Sequence, residues 1–480
     1  MVFSSPLFLF LFLPCVLVLS FLVKASWRNL ILLLASLLFY AWGEPVYILL
    51  LLASIVLNYL FGLLIAKAGA KKLVTLAGVF ANLAILLVFK YLNFFTGAFA
   101  SVVPDASAFQ TNIALPLGIS FYTFQGISYI IDVYRNNKIA EKSLLNVATY
   151  IAMFPQLVAG PIVRFETVAA QLAERTENIS RARLGAILFI IGLSQKVVFA
   201  DNFAFVADRA FDGDIEALSV LDAWIGAISY SLQIFYDFAG YSNMAIGLGV
   251  IFGFTFPKNF EFPYASRSIT EFWRRWHMSL SSWFRDYLYI PLGGNRHGSV
   301  RTYVNLFTVF FLCGLWHGAS WAFVFWGVLH GVYLVIERAG FKRVLEAMPA
   351  IFQHLYTLLL VQIAWIFFRA ETFGEAFSYL AAMFGAGGEA SSTLYLEVSN
   401  VKYLVLFVLA AIFATPLSEM VERIYGDWRE RIHNGEKVLT PKAGYGAVLG
   451  VLEVLMLVAL VIALVAVATN AYSPFIYFRF

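Results

Sequence analysis

Leu306-Phe-Thr-Val-Phe-Phe-Leu-Cys-Gly-Leu-Trp-His-Gly-Ala-Ser-Trp-Ala-Phe-Val-Phe-Trp-Gly-Val-Leu-His-Gly-Val-Tyr-Leu-Val-Ile336 decides the class of this protein. No Asp, Glu, Lys or Arg interrupts the run, and it exceeds the roughly 20 apolar residues that cross a bilayer. Inside it, Gly314-Leu-Trp-His-Gly-Ala-Ser-Trp321 carries His317, and Trp326-Gly-Val-Leu-His-Gly331 carries His330. A titratable ring at membrane depth is costly unless it has a partner or a task, so such residues mark functional sites by default.

The rest of the chain is of the same kind. Of its 480 residues, 61% are hydrophobic and 13% charged, more apolar surface than a water-facing core can absorb. Barrel-type alternation is absent, which argues against an outer-membrane β-barrel. The expected class is an all-α polytopic membrane protein. Apolar stretches recur near 5–23, 29–43, 46–66, 73–95, 116–134, 144–163, 184–200, 221–254, 303–336, 354–368, 399–415 and 446–470. They predict about eleven to thirteen membrane elements. The stretches 221–254 and 303–336 have room for two helices each, or for a helix plus a re-entrant piece, and 29–43 is short for a full crossing. The N-terminal stretch lacks a basic region and a small-residue cleavage site, so it reads as a retained first helix. Without an internal repeat or an appended soluble segment, residues 1–480 read as one membrane domain.

Charge in the connections gives an orientation. Lys67–Lys72, Arg135–Lys138 and Lys258–Arg301 are basic and expected on the cytoplasmic side. Asp201–Glu216 and Glu371–Glu397 are acid-rich and expected opposite, and the Ser418–Lys442 loop is placed with the basic group. Cys15 and Cys313 are far apart in apolar sequence and suggest neither a disulfide nor a metal site. No basic array with interleaved aromatics points to nucleic acid.

Phe260–His297 departs most from the membrane pattern. Ser268 and Glu271 have capping-box spacing, predicting a helix from Ile269 on which Trp273, Trp276 and His277 share one side. Arg274, Met278, Ser281 and Arg285 would form another stripe. This composition suits an interfacial anchor helix. It equally suits a surface on which Arg274, Arg275 and Arg285 meet an anionic donor, since a guanidinium fork matches phosphate. Neutral imidazole can take a hydroxyl proton near pH 7 and return it, which makes His317 a candidate base, against a packing role. His330 reads as a hydrogen-bonded packing residue beside Gly331. Trp316, Trp321, Gln156, Tyr236 and Asp237 are polar or aromatic groups that would line a cavity. Lys90, Gln125, Asp132, Lys196 and Gln233 invite the same reading or simple interhelical bonding. Pro155-Gln156 and Gly160-Pro161 mark a break within a span.

Ser268–Arg285, Tyr236–Gly247, Pro116–Arg135 and Gly314–Gly331 together resemble the membrane-bound O-acyltransferase family, most closely its bacterial alginate O-acetylase branch. Phe272-Trp-Arg-Arg-Trp-His277 and Leu315-Trp-His-Gly318 carry the resemblance, which runs from Met1 to about residue 340. It implies a helical ring around a catalytic funnel, with His317 catalytic and His277 a second functional position. It also implies transfer of acetyl groups from a cytoplasmic donor, acetyl-CoA, to a periplasmic exopolysaccharide, most simply alginate, with no bound cofactor. Periplasmic hydrolase-like partner proteins would complete the transfer, and the location would be the bacterial inner membrane. Cellulose, peptidoglycan or teichoic acid remain open as acceptors. A transporter of an acylated carrier is the reading of a different class, and the missing repeat symmetry argues against it.

Overall fold

The computed structural model describes residues 1–100, 111, 113–387, 392–416 and 443–469. The Ser418–Lys442 loop lies outside the described residues. Those described form helices and connections, with no strand among them. Among the described residues, seven helices are long and apolar enough to cross a membrane: Ala25–Gly43, Ile48–Lys67, Lys71–Ala100, Ile179–Phe211, Gly298–His317, Trp321–Ala347 and Ala350–Arg369. Shorter apolar helices cover Phe8–Leu22, Val401–Phe413 and Val454–Thr469. The protein is a multi-pass membrane protein.

Three local expectations change. The 29–43 stretch starts earlier, at Ala25, and reaches a full 19 residues. Its polar first turn is helical because Asn29 is tied down, its amide donating to Asn146 Oδ1 at 3.0 Å and to the Leu172 carbonyl at 2.8 Å. The 221–254 stretch is one helix, Val220–Ile251, of 32 residues. It holds glycines but no proline, and glycine alone does not stop a packed helix. The 303–336 stretch does divide, into Gly298–His317 and Trp321–Ile336. Ser320 caps the second helix by accepting from the Phe323 N–H at 3.4 Å. The third change, at His277, belongs to the site below.

The chain forms two compact units. The first comprises Met1–Phe189 and Tyr241–Pro257. Its aromatic core includes Phe3, fully buried and stacked on Tyr241 with ring centroids 4.5 Å apart. The neighbouring helices Ile48–Lys67 and Lys71–Leu86 are joined by reciprocal amide bonds between Asn58 and Asn82, at 3.0 and 3.1 Å. In lipid such a pair satisfies groups that water cannot reach. The expected break at Pro155 is present. Helix Leu144–Ala152 ends there, followed by the single turn Phe154–Leu157.

The second unit comprises Ile190–Gly240 and Lys258–Phe480. Two of its buried cations are paired with acids. Lys196 lies 2.7 Å from Asp201 and 2.9 Å from Asp237. Arg369 meets Asp208 at 2.8 Å and Asp212 at 2.7 Å. Helices Gly298–His317 and Trp321–Ile336 pack backbone to backbone. A Cβ on Gly314 would fall 2.4 Å from the Phe323 carbonyl oxygen, and one on Gly327 would fall 2.3 Å from that of Phe310. Only glycine permits that approach. Gly327→Val is expected to cost about 3 kcal/mol by forcing the pair apart. Size-exclusion profiles and thermal unfolding of the detergent-solubilised protein would show it, with Gly374→Ala, where no backbone lies within reach, as the silent control.

Candidate active site

Two short helices, Ile269–Arg275 and Met278–Phe284, of seven residues each, occupy the segment that interrupts the membrane pattern. Neither can span a bilayer. The first begins as predicted, with the Ser268 hydroxyl accepting from the Glu271 N–H at 3.0 Å. A second device anchors it. The buried Glu337 carboxylate accepts from the N–H groups of Ile269 at 2.7 Å and Thr270 at 2.9 Å, and from the Thr270 hydroxyl at 2.6 Å. A carboxylate at a helix N-terminus pairs with unsatisfied donors and with the positive end of the helix dipole.

From Glu337 the short helix climbs alongside Trp321–Ile336. Trp273 donates its indole N–H to His330 Nδ1 at 3.2 Å. Further on, Trp276 packs against Trp365 of helix Ala350–Arg369, with centroids 5.0 Å apart. His330 is fully buried among these rings, as a packing residue would be, and its Nε2 has no hydrogen-bond partner among the described residues.

The helix then breaks. The expected shared face of Trp273, Trp276 and His277 does not form, because helix Ile269–Arg275 ends before Trp276. His277 adopts φ 43°, ψ 53°, a left-handed conformation, and opens the second helix. A non-glycine residue held there is strained by about 1 kcal/mol or more, and such strain clusters at functional sites. The stripe through Arg274, Met278, Ser281 and Arg285 is broken for the same reason.

Asn259 fixes the His277 ring. The Ser279 backbone N–H can only donate, so the Asn259 atom it meets at 3.2 Å is the side-chain oxygen. That oxygen also takes the Ser279 hydroxyl at 2.8 Å and faces His277 Nδ1 at 3.1 Å. Nδ1 of a neutral ring therefore carries the proton, and Nε2 carries the lone pair. Nε2 is buried with no hydrogen-bond partner among the described residues. Asn259→Ala would leave buried donors unsatisfied and release the tautomer. Transfer activity is expected to fall about tenfold to a hundredfold. Asn259→Asp keeps an acceptor at the same place and should retain most of it. Initial rates in membranes of matched protein content compare the two.

His317 ends helix Gly298–His317 and is 5% exposed. Its ring centroid is 4.9 Å from Trp316 and Trp326, 5.4 Å from Phe368 and 6.5 Å from His277. A narrow cleft touches it, lined by Ile234, Phe238, Trp276, His317, Trp326, Trp365 and Phe368, with room for about one water molecule. Two imidazoles thus share an aromatic enclosure that excludes bulk water, with Trp316 packed against both rings. No group of His, Cys, Asp and Glu among the described residues could hold a metal ion.

The other predicted site residues have surroundings of their own. Tyr236 donates its hydroxyl to the Ala410 carbonyl at 2.6 Å, and Asp237 is the ion-pair partner of Lys196. Trp321 is 57% exposed at the start of its helix. Gln156 belongs to the first unit, where its amide donates to the Tyr150 carbonyl. Arg275 is paired with Glu271 at 2.7 Å and Arg285 with Asp286 at 2.6 Å, while Arg274 is exposed. Sequence reasoning missed Asn259, Glu337, Trp365 and Phe368. A polar residue within an aromatic break was the only sign of Asn259. Nothing local marks the other three, whose roles come from tertiary contact.

The chain matches the family model described as MBOAT, membrane-bound O-acyltransferase family, over residues 135–381. It is 41% identical over the whole of both chains to an Azotobacter vinelandii protein named probable alginate O-acetylase AlgI.

The chain belongs to the membrane-bound O-acyltransferase family.

As a member it is an O-acyltransferase, and the similarity extends past residue 340 to the C-terminus. It is also 39% identical to a peptidoglycan O-acetyltransferase of Helicobacter pylori, over 83% of each chain. A teichoic acid D-alanyltransferase of Bacillus subtilis is 31% identical over 46% of this chain and 59% of its own. His277 and His317 both fall inside the matched region.

Proposed function

We propose that this acyltransferase sits in the bacterial inner membrane and passes acetyl groups from cytoplasmic acetyl-CoA to alginate on the periplasmic side. The observation that carries the chemistry is the pair of buried rings, His317 and His277, 6.5 Å apart in one aromatic enclosure. In the step proposed, the acceptor hydroxyl gives its proton to His317 as its oxygen attacks the thioester carbonyl. The new C–O bond forms, the C–S bond breaks, and the leaving thiolate takes up the proton. His277, with its Nε2 lone pair, orients the acceptor or relays that proton. Arg274 and Arg275, on the first short helix, and Arg285, just past the end of the second, are the proposed contacts for the donor phosphates.

The direction of transfer rests on charge. Within the second unit, Lys258, Arg296, Arg301, Arg338, Lys342 and Arg343 lie at one end of the long helices, and Asp208, Asp212 and Asp222 at the other. Basic residues face the cytoplasm. His317 closes a helix that starts at the basic end, so an acceptor reaches it from the opposite side. The alginate branch and the full-length match to an alginate O-acetylase homologue favour alginate; the Helicobacter relative favours peptidoglycan as the second reading. The chain has no Gly-x-Ser-x-Gly elbow, which fits delivery through a hydrolase-like periplasmic partner.

The test is ester acetate released by mild alkali from purified polymers of a deletion strain, with and without the wild-type gene. Acetate restored on the exopolysaccharide supports the alginate reading. Acetate restored on peptidoglycan alone moves the acceptor, and acetate restored on neither polymer removes both.

A further inference from the structure

A cluster of charged side chains in the first unit takes no part in the proton transfer proposed above. Arg28 stands in the first turn of helix Ala25–Gly43, Arg181 in the first turn of helix Ile179–Ser194, and Arg175 and Glu177 in the connection before it. Arg28 Nη1 lies 3.3 Å from one Glu177 oxygen, and Arg175 Nε lies 3.1 Å from the other. The charge of Arg181 acts on the same carboxylate. Three guanidinium groups therefore gather around one acid.

The side chains of Arg175 and Glu177 are 7% and 2% exposed, so solvent does not relieve the mutual repulsion. Arg175 is fixed further by the Asn29 side-chain oxygen and lies over the Phe254 ring, 4.6 Å from its centroid. Arg181 reaches the Phe254 carbonyl at 3.4 Å and the Thr255 hydroxyl at 3.3 Å. The Nε groups of Arg28 and Arg181 remain buried without a hydrogen-bond partner among the described residues. An arginine N–H is always a donor, and burying it unpaired is costly. The single carboxylate, whose Oε2 is itself short of a hydrogen bond, leaves the three guanidinium groups with excess positive charge and two N–H groups without an acceptor. A phosphate oxygen set meets both needs, because it offers several acceptors to a guanidinium fork.

The position narrows the source. Both helices that carry the cluster are candidate spans, so the arginines lie where a span begins. Exposed apolar side chains flank them, with Trp27 at 56%, Leu22 at 78% and Ile179 at 87%. Tryptophan beside arginine at a span terminus is the pattern of the lipid headgroup layer. Helix Ile48–Lys67 returns to the same end, adding Lys67, Lys71 and Lys72. We propose that Arg28, Arg175 and Arg181 form a receptor for a phosphate group, supplied by an anionic phospholipid headgroup or by a soluble phosphate such as that of coenzyme A.

The full-length protein, purified in detergent, would be titrated with phosphatidylglycerol, coenzyme A or inorganic phosphate and followed by native mass spectrometry. At least one of the three is expected to bind, and Arg28→Gln with Arg181→Gln should weaken it about tenfold or more per arginine. Binding of phosphatidylglycerol alone assigns the lipid; binding of coenzyme A or inorganic phosphate assigns a soluble phosphate. Should the double variant not fold, Arg28→Lys and Arg181→Lys keep the charge, lose the fork, and should each weaken binding severalfold. If none of the three probes binds, or if the variants that fold bind as tightly as wild type, the proposal is overturned.

Discussion

His317→Ala is expected to abolish acyl transfer, by about a thousandfold or more, with the protein still present in membranes at wild-type abundance. The ring is 5% exposed and meets Trp316, Trp326 and Phe368, all held by other contacts. Truncating it leaves a cavity among aromatic rings, which costs a few kcal/mol at most and leaves the helix pair in place. What is lost is the one imidazole that lines the cleft. A variant that keeps its abundance and loses transfer separates chemistry from folding. Radiolabelled acetate incorporated into polymer by isolated membranes, normalised to immunoblot signal, makes the comparison.

His277→Asn should lower transfer by about a hundredfold or more while preserving the fold. Asparagine is chosen because the residue must hold φ 43°, and asparagine enters the left-handed region more readily than other non-glycine residues. An alanine there would mix backbone strain with loss of the ring. His277→Gly relaxes the backbone and should be equally inactive. Activity retained in either variant would show that the position serves only to turn the chain between its two short helices. Asn259→Ala tests the same assembly from the other side, since it leaves both rings and removes the oxygen that orders one of them.

Much of this was legible in the sequence, and the exceptions have physical causes. The run from Leu306 to Ile336 announced both its helices and the histidine that ends the first, because apolar length and a Gly-Ala-Ser break are local properties. The helix start at Ser268 was legible for the same reason, since its cap is built from near neighbours. The break at Trp276 was not. Ile269–Arg275 and Met278–Phe284 form one uninterrupted helical pattern on paper, and the left-handed turn is held by the 259–261 segment, through the Asn259 side chain to His277 and Ser279 and through backbone bonds to Met278 and Arg275. Tyr236 and Asp237 looked like cavity residues because polar groups in a span need a partner. Their partners, Ala410 and Lys196, are supplied by other helices, and spacing within one helix says nothing about which neighbour arrives. Glu337, at the end of an apolar run, resembles any charged residue at a span terminus until the N-terminus of Ile269–Arg275 docks on it.

Arg274, Arg275 and Arg285 teach a related lesson. Their number suggests a donor site, and the structure adds that Arg275 and Arg285 each have an acidic neighbour in sequence with which a donor phosphate would compete. The cluster of Arg28, Arg175 and Arg181 is scattered over some 150 positions and gave no local signal. In the fold it has one acid among three bases.

The central claim is that His317 and His277 act as a unit on one acceptor. The most direct test is a double-mutant cycle on acetyl transfer from acetyl-CoA in membranes of matched protein content, with His317→Ala, His277→Asn and the double variant. Groups that serve the same step are strongly non-additive. The double variant is expected to be no slower than His317→Ala alone. Losses that multiply, or a His317→Ala variant that transfers acetyl at the wild-type rate, would contradict it.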